Sequence, residues 1–297
     1  MIELGKAVRD ALGQGRPVVA LESTIVAHGL PRPGNLRVAR QIEQTVRDHG
    51  AVPATIGMIA GQVIVGLDDA GLTRLAESPD VAKLSVRDLA VAAATGADGA
   101  TTVAATSVLA ASAGIRVFAT GGLGGVHREP FDESADLATL ARTPIAVVCA
   151  GVKSILDIGA TLERLETLGV AVAGYRTDRF PGFFISDSGY PLDWRLDTPG
   201  QVAAVLRAQA AQGVHSGALV VANPLPESAQ LDPALHDRVL AEGLSIVERD
   251  RVTGKQVTPV LLSHFHATTG GASLEVNVRI ILRNAALAAE IAVALTR

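Results

Sequence analysis

The chain holds four lysines, Lys6, Lys83, Lys153 and Lys255, among 26 basic residues, so arginine carries most of its positive charge. Lys153 closes the apolar run 144–153. A deprotonated lysine amine can attack an electrophilic carbon, whereas a guanidinium stays protonated. Lys153 therefore reads either as a nucleophile or as a surface lysine whose stem lies along apolar neighbours. A helix predicted over 154–168 would set its positive end beside the ammonium, and burial would act in the same direction; both favour the neutral amine. Glu22 directly follows the apolar run 18–21. A carboxyl at the end of a buried strand can serve as a general acid. The alternative is that Glu22, Ser23 and Thr24 satisfy exposed backbone groups.

Further segments carry groups suited to anions, metals or sugars. The glycine-rich stretch 120–127 ends in His127 and follows an apolar run. Its glycines would let backbone N–H groups approach an anion, or simply make a tight turn. It matches neither the dinucleotide fingerprint nor the P-loop pattern. Asp132, Glu133 and Asp136 lie just before a predicted helix, where they suit either Mg²⁺ or Mn²⁺ or the capping of that helix. Lys83, Arg87 and Asp88, with the Gly-Ala-Thr-Thr-Val stretch 99–103 downstream, offer cations and hydroxyls for a sugar phosphate, or an ordinary ion pair at an exposed helix start. Asn277 lies on the ligand side only if the apolar face of its helix lines the crevice.

Composition narrows the classes. The 297 residues are 48% hydrophobic and 3% aromatic, with a net charge of −4 and one cysteine. Few aromatics and no basic tract argue against a nucleic-acid partner. One cysteine excludes an intrachain disulfide framework and a cysteine-rich zinc site; Cys149, inside an apolar run, reads as core. The polar start does not resemble a signal peptide, and no uncharged apolar stretch approaches membrane-spanning length, so a cytoplasmic protein with no membrane partner is expected.

Groups so far apart in sequence need a scaffold to bring them together. Short β-branched runs at 17–21, 55–59, 63–65, 116–119, 145–149, 170–174 and 218–222 alternate with helical patterns at 36–49, 135–141, 154–168, 201–212, 232–242 and 274–295. Asn35 is expected to cap the first of these helices and Gly50 to end it; Thr198-Pro199 and Gly169 mark other boundaries. The alternation predicts an α/β fold, layered α/β/α around a central sheet, with one domain over 1–297. The turn within 59–63 predicts a hairpin, so the sheet is expected to be mixed. Glu22, Thr120, Ala150–Lys153 and Asn223 all follow apolar strands. Were those strands parallel, these groups would share one sheet edge, where open α/β sheets bind ligands.

Nine stretches then add a resemblance: VVALESTIVAHGLP (18–31), GAVPATIGMIAG (50–61), KLSVRDL (83–89), GATTVAAT (99–106), FATGGLGGVHR (118–128), FDESADL (131–137), VVCAGVKSILDIG (147–159), VVANPLPE (220–227) and TGGASLEVN (269–277). In this order they resemble the pseudouridine-5'-phosphate glycosidase family, also called the indigoidine synthase A-like family. The resemblance implies reversible cleavage of the C–C glycosidic bond of pseudouridine 5'-phosphate to uracil and ribose 5-phosphate. It implies a divalent metal, Mn²⁺ or another such as Mg²⁺, and a homotrimer. Carried onto matching positions, it makes Lys153 the nucleophile, Glu22 the proton donor and Asp132 the metal ligand. It assigns substrate contacts to Lys83, Thr102, Val103, His127, Ser134, Ala135, Asp136 and Asn277. The chain departs from the family pattern in a shortened loop between His127-Arg128 and Phe131, at Glu133, normally apolar, and at Val86-Arg87, normally Arg-Arg. Two rival readings are a Schiff-base lyase or aldolase acting on a sugar phosphate, and a non-catalytic sugar-phosphate sensor.

Overall fold

The computed structural model describes residues 2–128, 132–213, 217–252 and 257–297. The chain begins with β1 (Ile2–Leu4), α1 (Lys6–Gly13) and β2 (Val18–Leu21), makes a wide helical turn at Ile25–Gly29, and continues into α2 (Gly34–Asp48). A second group follows: β3 (Val52–Ile59), β4 (Gln62–Val65), α3 (Asp69–Glu77), β5 (Ala82–Leu84), α4 (Leu89–Thr95) and β6 (Gly99–Thr101). Next come α5 (Val103–Ser112), β7 (Val117–Ala119), α6 (Ala135–Leu140), β8 (Ala146–Cys149), α7 (Ile158–Thr167) and β9 (Ala171–Tyr175). The remainder is β10 (Arg195–Leu196), α8 (Pro199–Gln212), β11 (Leu219–Ala222), α9 (Pro233–Arg249), α10 (Val257–Thr268) and α11 (Ala272–Leu295).

Among the described residues the strands form one eleven-stranded sheet, ordered β1-β4-β3-β2-β7-β8-β11-β9-β10, with β6 also on β3 and β5 on β6. Every residue of β2, β8 and β11 is buried. That is why these runs read as continuous apolar stretches rather than alternating ones: both sheet faces are covered. Val19 and Leu21 point into a core shared with α2, α8 and α11. Their neighbours Val18 and Ala20 point into the opposite core, with α1, α5, α6 and α7. The strand period of two thus makes the α/β/α layering. Each fully buried Val or Leu contributes about 1.5–3 kcal/mol. A third cluster joins α9, α10 and the start of α11 to Phe180, Phe183 and Phe184.

The sheet is mixed, as the hairpin predicts. β4 runs antiparallel to β3, through a turn whose Ala60 and Gly61 have φ of 48° and 79°, the left-handed pair of a tight primed turn. β6 is also antiparallel to β3. β2, β7, β8 and β11 are parallel neighbours. The segments after them therefore lie side by side on one edge.

Two expected boundaries are corrected. Asn35 does not cap α2, which starts at Gly34; its Nδ2 instead donates to the carbonyls of Val26 and Ala76, at 2.9 and 2.8 Å. The helix expected from Ser154 begins only at Ile158, with Asp157 accepting from the Ala160 N–H at 2.9 Å. Lys153 is thus not at a helix N-terminus, and the dipole argument for it fails. The Thr198-Pro199 start and the Gly169 stop match the chain: Thr198 forms a capping box with Gln201, and Gly169 has φ of 69°.

Candidate active site

Glu22 leaves the end of β2 and is held by two hydroxyls. Thr24 donates to its Oε2, and Thr120, the first residue beyond β7, donates to its Oε1. Two short side chains thereby fix both oxygens of a half-buried carboxyl group. Neighbouring Ser23 turns the other way, donating to the Ile56 carbonyl at 2.6 Å and accepting from the Thr101 N–H at 2.9 Å. The backbone-satisfying role considered for this triplet belongs to Ser23, not to Glu22.

Lys153 sits in a loop zipped to the glycine-rich segment. Ala150 N–H donates to Gly121 O, Leu123 N–H to Gly151 O, and Lys153 N–H to Leu123 O, at 2.9, 2.9 and 3.1 Å. The glycines serve close packing here. A Cβ on Gly124 would come within 2.2 Å of Ser134 Oγ, and Gly151 combines φ of 82° with the Pro181 carbonyl 2.2 Å from any Cβ. Phe183 seals this region from behind: its N–H donates to Ala150 O at 3.1 Å, and its ring would lie 2.6 Å from a Cβ on Gly122.

A cavity of about 1100 Å³ opens at this edge, at the upper end of small-molecule sites. Its wall includes Glu22, Lys153, Lys83, Thr102, Val103, His127, Asp132, Ser134, Ala135 and Asp136. The structure thus brings together ten of the eleven residues to which the resemblance gives a role. Asn277 is the exception. Its Oδ1 is buried without a hydrogen-bond partner and packs behind Gly121, 3.6 Å from where a Cβ would be. Thr102 and Val103 form the start of α5, where Thr102 Oγ1 accepts from the Ala105 N–H; a helix N-terminus facing a cavity favours an anion. Lys83, Arg87, Arg142 and Lys153 add positive charge to the wall. Lys83 lies on β5, not at the start of a helix as one reading of that segment had it. Missed in the sequence were the hydroxyls of Thr24 and Thr120 as partners of Glu22; their signal was position, two residues after Glu22 and one after a strand.

Three acidic residues take different roles. Asp136 is buried; Oδ1 accepts from Ala104 N–H at 2.9 Å and Oδ2 from Gly124 N–H at 2.8 Å. It therefore ties the glycine loop to α5. Asp136→Ala leaves two N–H groups unpaired and is expected to lower stability by about 2–4 kcal/mol, read as a drop in denaturant midpoint at constant slope. Glu133 pairs with Arg164 at 3.0 Å on the surface. Asp132 remains in the cavity wall, its Oδ2 3.9 Å from His127 Nδ1. Burial holds the His127 imidazole below the usual histidine range; Asp132 opposes that effect, and Lys153 and Lys83 reinforce it. Cys149 is fully buried, and burial pushes its thiol up to about 12, which fits a core role.

Among the described residues no cluster of three or more His, Cys, Asp or Glu is placed to hold a metal. With Glu133 and Asp136 engaged, the donor set is one carboxylate, Asp132, beside a neutral imidazole. That set does not make a protein cage. It fits a hydrated Mg²⁺ or Mn²⁺ that keeps most of its waters. Phe131, part of the same acidic segment, lies outside the described residues.

The chain is 78% identical over 293 residues to a protein of Salinispora tropica named pseudouridine-5'-phosphate glycosidase, covering 98% of this chain and 90% of that one. A Frankia alni protein of the same name is 60% identical over 296 residues, covering 99% and 82%. Among solved structures, the prealnumycin C-glycosynthase AlnA in complex with ribulose 5-phosphate superposes with a TM-score of 0.92 at 37% identity, covering 100% of this chain and 97% of that one. An indigoidine synthase A-like protein from Thermotoga maritima gives 0.90 at 35% identity, with the same coverage. The model of the indigoidine synthase A-like protein family matches residues 7–294, and the chain belongs to that family.

Proposed function

We propose that this chain cleaves, reversibly, the C–C glycosidic bond of pseudouridine 5'-phosphate to give uracil and ribose 5-phosphate. The observation that carries the reading is one cavity wall holding the Lys153 amine, the doubly anchored Glu22 carboxyl and the α5 N-terminus with Lys83. In this reading the phosphate lies against the start of α5, Lys83 and Ser134. The sugar lies between Glu22 and Lys153.

A C–C glycoside has no leaving heteroatom to protonate, so direct hydrolysis is difficult. The Lys153 amine instead bonds to C1'. The C1'–O4' bond breaks as Glu22 gives its proton to O4', opening the ring; the Glu22 carboxylate then takes the extra proton from the newly bonded nitrogen, which regains its lone pair. The nitrogen lone pair then forms an imine with C1', and the C1'–C5 electron pair leaves with uracil, whose C5 takes a proton. Water hydrolyses the imine, releasing ribose 5-phosphate and the free amine. The acyclic pentose phosphate in the AlnA complex supports a site that accepts an opened sugar. Asp132 would hold Mn²⁺ or Mg²⁺, which when bound supplies positive charge to orient the phosphate or a water. Neutral His127 beside it stays free of a competing charge.

Incubation with pseudouridine 5'-phosphate and Mn²⁺, followed by chromatography, is expected to give uracil and ribose 5-phosphate in equal amounts. Ribose 5-phosphate binding without turnover would favour the sensor reading instead. Chelation with EDTA is expected to lower the rate at least about tenfold, with Mn²⁺ restoring it. The homotrimer belongs to the same reading and is tested by sedimentation equilibrium.

A further inference from the structure

One stripe of α11 carries Asn277, Ile281 and Asn284, spaced as neighbours on a helix face. All three bear on the ends of β2 and β7. Asn277 packs behind Gly121. Ile281 borders, with Glu22 and Ala119, a void of about 10 Å³. Asn284 is 1% exposed, and a buried amide is costly unless its polar atoms are bonded. Both of its polar atoms are. Nδ2 donates to the Thr120 carbonyl at 2.8 Å, with Gly121 O at 3.4 Å, and Oδ1 accepts from Asn223 Nδ2 at 2.9 Å. Because a carbonyl only accepts, these partners leave the amide one orientation. Asn223 is itself anchored, its N–H donating to Cys149 O at 2.8 Å. The bonds link the ends of β7, β8 and β11 through a side chain from a helix remote in sequence.

Thr120 is where this network meets the site. It is 0% exposed, its N–H donates to Val148 O at 3.0 Å, and its hydroxyl donates to Glu22 Oε1. The peptide group before Thr120 is thus held through its N–H and the one after it through its carbonyl, the latter by Asn284. The hydroxyl then has a fixed origin from which to hold Glu22. A leucine at 284 would fill similar space but leave the Thr120 carbonyl and Asn223 Nδ2 without these partners.

We infer that Asn284 is a positioning residue for the proton donor. It fixes Thr120, and Thr120 aims the Glu22 carboxyl at the sugar ring oxygen; this rests on the reading of Glu22 given above. A displacement of about 1 Å at a reacting group can cost on the order of 100-fold in rate.

The test is a cycle in the full-length protein loaded with Mn²⁺: wild type, Asn284→Leu, Glu22→Gln and the double variant, each checked for folding by thermal melting. Leucine keeps the volume but has no group that donates to the Thr120 carbonyl. Asn284→Leu is expected to lower the single-turnover rate about 10- to 100-fold, with KM within about threefold of wild type. In the Glu22→Gln background the same change is expected to lower the residual rate less than about threefold, since the group it aims is gone. An unchanged rate in folded Asn284→Leu, or an equal loss in both backgrounds, would overturn the inference while leaving Glu22 as the acid. A wild-type rate in Glu22→Gln alone would overturn the acid assignment and the inference with it. Should Asn284→Leu fail to fold, Thr120→Val against Thr120→Ser reads the step from Thr120 to Glu22 on which the inference depends. Loss in Val with recovery in Ser supports that step, and full activity in Val refutes the inference.

Discussion

Lys153→Arg is expected to fold, bind ribose 5-phosphate and lose turnover by about 10⁴-fold or more. The substitution keeps a cation in the cavity wall and most of the stem. It removes only the ability to shed a proton and form a bond to carbon. Were Lys153 a charge that holds phosphate, arginine would preserve or improve that contact, and activity would survive. The loop itself should tolerate the change, because its geometry rests on backbone bonds between 121–123 and 150–153 and on Gly151, not on the Lys153 side chain. Stopped assays of uracil release, with a thermal melt to show folding, check this. Appreciable turnover in Lys153→Arg would remove the nucleophile.

Glu22→Gln is expected to bind substrate with near-normal affinity and to slow ring opening by about 10²–10⁴-fold, the range for removing a general acid. Glutamine has nearly the same shape. Its carbonyl can accept from Thr24 or Thr120, though its NH₂ cannot accept from the other. Ground-state geometry is therefore largely kept while the transferable proton is lost. A fall in kcat with little change in KM is the expected signature. Single-turnover kinetics read the step directly, and an unchanged rate would take Glu22 out of the acid role.

Much of the scaffold was legible because the buried parallel strands announce themselves. Val18–Leu21, Ala146–Cys149 and Leu219–Ala222 are short, β-branched and followed at once by Glu22, Ala150–Lys153 and Asn223. Their parallel pairing was a condition the sequence could pose but not settle. Helix α5 went unseen because Val103–Ser112 is small and apolar on nearly every side, so it carries no stripe for a period of 3.6 to reveal. Lys153 was placed at a helix start because 154–168 reads as a continuous helical pattern; the true signal was Asp157, a cap residue inside that run. The acidic segment could not be apportioned from sequence, since the partners of Asp136 and Glu133 come from Ala104, Gly124 and Arg164. Asn284 shows the same limit: an amide within an apolar stretch of helix signals a buried polar role, but its partner Thr120 is 164 residues away.

The claim on which the mechanism turns is a bond between one lysine nitrogen and the sugar's first carbon. It is read most directly by mixing the protein with ribose 5-phosphate, reducing with borohydride, and mapping the adduct by mass spectrometry. The account predicts a stable pentose-phosphate increment on the peptide carrying Lys153 and none in Lys153→Arg. An increment on another lysine, or no adduct in a protein that turns over, would contradict it.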